Sequence, residues 1–266
     1  MLKLTLGLPR ATLRMIICTA FAMFLPAFTL QAFAGENPID VVQIKLRFSN
    51  VYIIRTTKPI LIDSGTPKDL PLLVEELGKL GLKLKDLSLL VLTHSHSDHA
   101  GLAARLQREG VKVALGEGDV SMAKSGHNDD LKPTNFTAHL LKLFAIDPNF
   151  EPFTPDFVVT NELDLQPWGI DGWVVQMPGH TPGSLVLQLK DGRAFVGDMM
   201  LGGYLGGQFS PNKAGQHYFH ADNERNLKNI QTLLSQPINT FYLGHGGPVD
   251  RSSVIEAFGA RETSGN

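Results

Sequence analysis

A continuous apolar run, Leu89 to Leu92, passes directly into a histidine-rich segment and then into residues with helical spacing, Ala100 to Gln107. A run that is apolar at every position is typical of a strand covered on both faces of a sheet. The same order occurs just before it, where Pro59 to Ile62 is followed by leucines at helical spacing over residues 68–80. Strands that alternate with helices predict an α/β fold.

The rest of the chain fits one α/β domain of ordinary globular composition. Of its 266 residues, 43% are hydrophobic and 19% are charged, which excludes a disordered or fibrous chain. The further predicted strands are residues 41–46, 51–54, 111–115, 173–177, 184–189, 193–196 and 240–243, and the further helices are residues 136–145 and 223–234. A glycine-rich loop is expected at residues 202–207, followed by a polar stretch.

Residues 1–34 differ in character from the rest. Three basic residues precede an apolar run from Met15 to Leu30, and small residues surround a potential cleavage point before Gly35. This order is typical of a secretory signal peptide. The alternative is a transmembrane anchor, but Pro26 interrupts the run, and about 20 apolar residues are normally needed to span a bilayer. We therefore predict a cleaved signal peptide and a periplasmic or secreted domain, residues 35–266, without a stable membrane anchor.

Charge and cysteine content narrow the function of this domain. Cleavage removes three basic residues and no acidic one from a total of 24 Lys and Arg and 26 Asp and Glu, which leaves a net charge of −5. This balance argues against nucleic acid and leaves a small molecule as the expected partner. The one cysteine, Cys18, lies in the signal segment, so the mature chain has no thiolate ligand. Any metal ion would be bound through nitrogen and oxygen.

The histidine-rich segment combines three imidazoles and a carboxylate within six residues. His94 and His96 are two residues apart beyond a strand, so extended backbone directs both rings to the same side, where they can bind one ion. Asp98 and His99 fall where the helix should begin, so Asp98 could cap it while the first turn carries both side chains back towards the strand. This set suits zinc. The alternative is a polar loop with surface histidines.

Three later strand ends each carry one further candidate ligand. His180 lies in the turn Pro-Gly-His-Thr-Pro-Gly, Asp198 follows a glycine, and His245 stands between glycines. Each motif alone more often marks a simple turn or a cap. Their joint occurrence after apolar runs favours a metal site.

Taken in order, these motifs resemble the metallo-β-lactamase superfamily over roughly residues 40–250. The resemblance implies a four-layer αβ/βα sandwich with the metals between two β-sheets at one edge. It also implies two metal sets: His94, His96 and His180 for one ion, Asp98, His99 and His245 for the other, and Asp198 as the bridge between them.

The resemblance further implies hydrolysis with two divalent metal ions, zinc being preferred. Two such ions lower the pKa of a shared water, present it as hydroxide and polarise the ester, thioester or lactone carbonyl that it attacks. Asp98 is the expected catalytic residue, which orients the water or handles a proton. Asp63 resembles the carboxylate that fixes a ligand histidine, although it could instead cap the helix at residues 68–80. Tyr204 could donate a hydrogen bond to a developing oxyanion, or simply pack.

Other functions in the superfamily stay open. A persulfide dioxygenase would use one iron at the first three histidines. An all-histidine β-lactamase is a second alternative, although such enzymes generally lack a bridging aspartate like Asp198, and a non-catalytic exported metal-binding protein is a third. β-Lactamases with a cysteine ligand are excluded for the mature chain, and diiron flavoproteins are disfavoured because His96 stands where they carry a glutamate. We expect an exported dinuclear hydrolase.

Residues 127–157 interrupt the regular order of strands and helices, and we predict a cap over the metal site that sets substrate choice. Its apolar wall would consist of Phe136, Leu140, Leu141, Phe144, Phe150 and Phe153. The alternative is that these side chains complete the core. The remaining histidines outside the motifs, His127, His139, His217 and His220, are expected to be solvated.

Overall fold

The computed structural model describes Leu2, residues 39–142 and residues 147–259. The predicted signal peptide therefore lies outside the described residues apart from Leu2, and the fold described below belongs to the compact unit Pro38–Asn266. Within the described ranges, no helix has both the length and the apolar character needed to cross a membrane.

The first sheet contains six strands that lie side by side in chain order. They are β1 (Asp40–Lys45), β2 (Asn50–Arg55), β3 (Ile60–Ile62), β4 (Leu89–Val91), β5 (Lys112–Gly116) and β6 (Phe157–Val159). β1, β2 and β3 pair antiparallel, whereas β3 to β6 pair parallel. The helices that connect them are α1 (Leu70–Lys79), α2 (Ser97–Ala100), α3 (Ala103–Arg108), α4 (Val120–Ser125) and α5 (Phe136–Leu141).

The second sheet follows later in the chain, with the spatial order β14-β13-β10-β9-β8-β7. Its strands are β7 (Glu162–Asp164), β8 (Gly172–Gln176), β9 (Leu185–Leu189), β10 (Arg193–Gly197), β13 (Thr240–Leu243) and β14 (Val249–Asp250). A separate hairpin pairs β11 (Leu201–Tyr204) with β12 (Phe209–Gly215), and the helices are α6 (Asn223–Leu234) and α7 (Arg251–Phe258).

Three apolar clusters hold these elements together as four layers. One lies between α1, α3 and the outer face of the first sheet, one between the two sheets, and one between the second sheet and α6 and α7. Representative buried side chains are, in that order, Leu73, Leu77 and Leu90, then Ile62, Leu187 and Phe195, then Ile230, Leu233 and Phe241. The four-layer αβ/βα sandwich expected from the sequence is confirmed.

The main departure from the predicted elements lies after β10. The expected glycine-rich loop at 202–207 contributes to β11 and to the turn of the β11/β12 hairpin, and β12 occupies much of the expected polar stretch. Gly206 and Gly207 both have positive φ angles, 66° and 86°, which suits a tight turn. Glycine and most polar residues have low strand propensity, so no period-2 pattern marks this pair of strands in the sequence.

The predicted cap divides between core and surface. Phe150 and Phe153 are buried in the cluster beneath the first sheet, with ring centroids 6.3 Å apart, so the prediction that they wall a substrate site is wrong. Phe136 is 78% exposed and Leu140 is 51% exposed. Phe144 lies outside the described residues, and the Leu141 side chain is likewise not described. An apolar residue in an irregular segment packs into whichever apolar cluster the chain brings close to it. Sequence spacing does not identify that cluster.

Candidate metal centre

The loop after β4 carries the first four candidate ligands into the interior. His94, His96, Asp98 and His99 are all buried. His96 has extended backbone and is the N-cap residue of α2, so Asp98 falls in the first helical turn and the expectation that Asp98 caps the helix is wrong. The turn nevertheless brings the His99 ring to 4.2 Å from the His94 ring, centroid to centroid, and places Asp98 Oδ2 3.6 Å from His99 Nε2.

Asp198, at the end of β10, lies at the centre of the histidines. The distances from its Oδ2 atom to the Nε2 atoms of the predicted ligands are 3.9 Å for His94, 3.5 Å for His99, 3.7 Å for His180 and 3.2 Å for His245. Separations of this size are expected between donors that share an ion at about 2.0 to 2.2 Å from each.

The other contacts divide the ligands into the two expected sets. His96 Nδ1 lies 3.1 Å from His180 Nε2, and the ligand atoms of these two residues and His94 all lie within 4.8 Å of one another. On the other side, Asp98 Oδ2 lies 3.3 Å from His245 Nε2 and 3.6 Å from His99 Nε2. The structure therefore brings together all seven residues that the sequence selected.

Asp63 contacts Nδ1 of His99, the ring nitrogen opposite the predicted ligand atom Nε2. Its Oδ2 atom lies 2.9 Å from His99 Nδ1, while Oδ1 accepts a hydrogen bond from the Thr93 backbone N–H at 2.7 Å. This contact directs His99 Nε2 towards Asp198. The alternative role as a helix cap is wrong, because the short helical turn before α1 has Thr66 as its N-cap and α1 has Asp69.

The far nitrogens of the other histidines also contact oxygen atoms of the protein. His180 Nδ1 donates to the Phe219 carbonyl at 2.8 Å, and His245 Nδ1 donates to the Phe48 carbonyl at 2.7 Å. His96 uses its other ring atom, Nε2, which lies 2.9 Å from Asp129 Oδ1. Such contacts fix ring orientation and leave the opposite nitrogen free for a metal.

Two further carboxylates position the loops and rings of this site, and neither was predicted from the sequence. Asp129 lies in residues 127–157 and contacts His96, while the fully buried Asp119 accepts hydrogen bonds from the Ser95 and Gly183 backbone N–H groups at 3.0 and 2.7 Å. Asp119 therefore joins the two loops that carry His96 and His180. Its position just beyond the predicted strand at 111–115 was the available signal, since strand ends supply sites in this fold class.

Three buried atoms at the centre show whether a cation fits. Among the described residues, His94 Nε2, His99 Nε2 and Asp198 Oδ1 have no hydrogen-bond partner. Unpaired buried polar atoms are costly, and here all three belong to metal-ligating groups that face one another. Gly244 leaves space for them, because a Cβ atom at this position would lie 2.0 Å from Asp198 Oδ1. The residues fit bound cations.

The pKa values reflect this concentration of charge. Burial alone would raise the pKa of Asp198, but the positive charges of His245 and His99 hold it well below the ordinary range. Burial would lower the pKa of His245, but Asp198 and Asp98 raise it to about 10. Burial lowers the pKa of His94 well below its usual value, and repulsion from His99 adds to the shift. A bound cation would displace protons from His99 and His245.

A cavity of about 330 Å³ opens directly onto the ligands. Its lining combines the predicted ligands His96, Asp98, His180, Asp198 and His245 with the apolar or aromatic residues Phe48, Leu131, Leu201, Leu205, Tyr218 and Phe219. Tyr204 is 60% exposed and, in the described structure, does not line this cavity. The proposed oxyanion contact of Tyr204 therefore finds no support in the geometry.

The four remaining histidines fall into two pairs. His127 and His139 are exposed, as expected. His217 and His220 are buried, so the prediction that they are solvated is wrong. His220 Nε2 accepts a hydrogen bond from Asn226 Nδ2 at 3.3 Å, and burial lowers its pKa to about 3. His217 instead lines the cavity, with Nε2 at 3.2 Å from Asp198 Oδ2.

Comparison with known families agrees with this fold and site. The model of the metallo-beta-lactamase superfamily matches residues 44–245, so the chain belongs to that superfamily of hydrolase-type enzymes. It is 28% identical over 220 residues to the beta-lactamase-like protein 2 homolog of Drosophila melanogaster, covering 81% of this chain and 63% of that protein.

A second curated protein and a solved structure are also similar to the chain. The chain is 28% identical to the hydroxyacylglutathione hydrolase GloC of Haemophilus influenzae over 183 residues, which cover 65% of this chain and 74% of that one. BJP-1, a subclass B3 metallo-beta-lactamase of Bradyrhizobium japonicum, shares the fold with a TM-score of 0.55 at 22% identity, covering 78% of this chain and 75% of that chain.

Proposed function

We propose that this protein is an exported, dinuclear, zinc-dependent hydrolase of esters, thioesters or lactones. The observation that carries the proposal is the convergence of five predicted histidine ligands with the carboxylates of Asp98 and Asp198, in groups whose ligand atoms lie within 4.8 Å of one another, beside a largely apolar cavity. Imidazole and carboxylate donors without a thiolate suit zinc. Export is supported by the order of basic, apolar and small residues in the first 34 positions.

The two ligand sets support two ions in place of one. Divalent cations held by these residues would supply a bound water of lowered pKa and polarisation of the carbonyl oxygen of the substrate. Asp98 lines the cavity, and its carboxylate reaches both His99 and His245. It is therefore the group placed to orient the attacking water and to accept its proton. In the metal-free protein, the positive charges of His99 and His245 hold the pKa of Asp98 below its ordinary range, although burial acts to raise it.

The cavity lining supports a substrate with an apolar group next to the scissile carbonyl. Phe48, Leu131, Leu205 and Phe219 line the same cavity as Asp98. An acyl chain or a similar hydrophobic group would remove these side chains from water. The name of the Haemophilus relative, a hydroxyacylglutathione hydrolase, agrees with a thioester among the candidates.

The same geometry disfavours the two rival activities. A persulfide dioxygenase with one iron would leave Asp98, His99 and His245 without a role, yet their ligand atoms lie within 4.8 Å of one another. The likeness to BJP-1 concerns the fold, and the carboxylate of Asp198 at the centre argues against an all-histidine β-lactamase site.

The experiment is a hydrolysis screen of the metal-loaded mature chain against lactones, thioesters, esters, β-lactams, phosphodiesters and sulfate esters, together with metal analysis. We expect about two zinc ions per chain and turnover of a carbonyl ester, thioester or lactone. One iron per chain with oxygen consumption, or β-lactam turnover alone, would contradict the proposal. Mass spectrometry of the exported protein tests the predicted start near Gly35, and an intact Met1 on cytoplasmic protein would contradict it.

A further inference from the structure

A sixth imidazole reaches the centre of the site from outside the two expected ligand sets. His217 Nε2 lies 3.2 Å from Asp198 Oδ2, the same distance as His245 Nε2. The ligand atoms of His217, Asp198 and His180 all lie within 4.8 Å of one another. The His217 side chain is buried among these groups, and its ring centroid lies 4.8 Å from that of His180.

One backbone carbonyl contacts both rings. Phe219 O lies 2.8 Å from His180 Nδ1 and 3.2 Å from His217 Nδ1. If both Nδ1 atoms carry the proton, each donates it to the Phe219 carbonyl and both Nε2 lone pairs point at Asp198. A histidine that binds a metal ion through one ring nitrogen commonly donates from the other nitrogen to a backbone carbonyl in this way. In the other tautomer, the Phe219 backbone N–H donates to His217 Nδ1 at 3.3 Å, and His217 Nε2–H donates to Asp198.

The position of His217 is fixed from two directions. The Thr134 hydroxyl donates to the His217 carbonyl at 2.9 Å, and the Thr134 backbone N–H donates to the Tyr218 carbonyl at 2.8 Å. On the other side, the Ala221 backbone N–H donates to the His180 carbonyl at 2.9 Å. The loop that carries His217 is thus tied to the loop that carries a predicted ligand, and ligand geometry needs such support.

We propose that His217 Nε2 is an additional ligand of the ion that His180 and Asp198 bind. The inference rests on the proposed metal centre and extends it by one donor. That ion would then have five protein donors, one more than a tetrahedral zinc site, so a coordination number of at least five is expected. The five donors would be His94, His96, His180, Asp198 and His217.

Cadmium substitution tests the inference on the unaltered protein. The mature chain is labelled with 15N in its histidine rings and loaded with 113Cd, so that each ring nitrogen bonded to the metal is split by coupling. We expect six coupled imidazole nitrogens, one each from His94, His96, His99, His180, His217 and His245. Bound cadmium with five or fewer coupled nitrogens, none of them from His217, would overturn the inference but leave the metal centre standing. Absence of bound metal would instead contradict the proposed function.

Two substitutions identify the nitrogen and give a second readout. In His217→Gln and His217→Ala, the sixth coupled signal should disappear, the visible bands of the Co(II)-loaded protein should shift, and the metal dissociation constant should rise by about ten- to a hundredfold. His139→Ala, which removes an exposed imidazole, is the matched control and should leave all three unchanged. An unchanged Co(II) spectrum and metal affinity in both His217 variants would overturn the inference, even if turnover fell, because His217 would then act on the substrate or on Asp198.

Discussion

The loop at residues 94–99 and the segment at residues 200–220 both line the cavity, and they are built in different ways. Every residue from His94 to His99 is buried, and the loop leaves the end of a central strand. The later segment begins with a two-stranded hairpin that belongs to neither large sheet, and its tip exposes Tyr204, Leu205 and Phe209. The loop at residues 94–99 holds its predicted ligands by packing. The later segment contributes the buried His217 and a wall, the hairpin tip, whose apolar groups reach water.

This difference indicates that the loop and the wall have separate roles, one in metal binding and one in substrate choice. The ligand side depends on buried hydrogen bonds, such as those of Asp63 to Thr93 and His99, and tolerates little change. The wall side depends on loop contacts at the surface, which can vary without loss of the fold. Metal binding should therefore respond to substitutions in the loop at residues 94–99 and at His217, and substrate choice to substitutions in the wall.

The largest effect should come from Asp198→Ala, which removes the carboxylate that both ligand sets face. We expect metal content to fall and turnover to drop by more than about a hundredfold, beyond the loss typical of residues that only orient a ligand. Metal analysis and steady-state rates on the same preparation are the measurement, with His139→Ala as the control. Full occupancy with an unchanged rate would mean that the centre does not depend on Asp198.

The next prediction concerns residues 127–157, which reach both regions. Phe150→Ala should lower the free energy of unfolding by about 3 to 5 kcal/mol, because Phe150 is buried in the cluster beneath the first sheet. Relative kcat/KM among acyl-chain lengths should stay the same. Denaturant unfolding and a chain-length series are the two measurements, and altered chain-length preference with intact stability would restore the interpretation of Phe150 as part of a cap.

Asp63→Asn tests the ligand side without touching a ligand. The amide keeps the shape but loses the charge beside His99 Nδ1, so metal affinity should fall by about ten- to a hundredfold. Chelator competition on the purified variant measures the change. A matched substitution, Asp86→Asn, removes an exposed carboxylate that accepts from the Lys83 backbone N–H, and it should leave the affinity unaltered.

Metal affinity should also rise with pH. The metal-free His245 has a pKa raised to about 10, so a cation must displace its proton throughout the neutral range. We expect the apparent affinity to increase by up to about tenfold per pH unit for each proton displaced, from about pH 6 to about pH 8. Competition titrations at several pH values, corrected for the titration of the chelator, provide the test. A flat profile would show that the metal-free His245 already has an unprotonated Nε2 in this pH range.

The same contrast explains what the sequence could and could not predict. His94, His96 and Asp198 follow apolar strands, so period-2 and strand-end patterns identified them before any fold was known. His217 follows no such strand, and it is brought inward by hydrogen bonds to Thr134 and Phe219. Contacts between loops distant in sequence leave no periodic signal, which is why His217 was expected to be solvated.

The smallest effect is expected from Leu205→Ala in the wall. This substitution directly tests whether substrate choice and metal binding depend on separate regions. Leu205 lines the cavity and is 53% exposed, so its truncation removes apolar contact with a substrate but leaves the core intact. We expect kcat/KM for long acyl chains to fall by about tenfold or less relative to short ones, the scale of a few methylene contacts in a hydrophobic pocket. Alanine is chosen over glycine because Leu205 has a φ of 49°, and glycine would also relax the backbone. Leu227→Ala, which shortens a leucine at the surface of α6 away from the cavity lining, is the matched control. Metal content and Tm should be the same in both variants, and a loss of metal in Leu205→Ala alone would mean that the wall also supports the ligands.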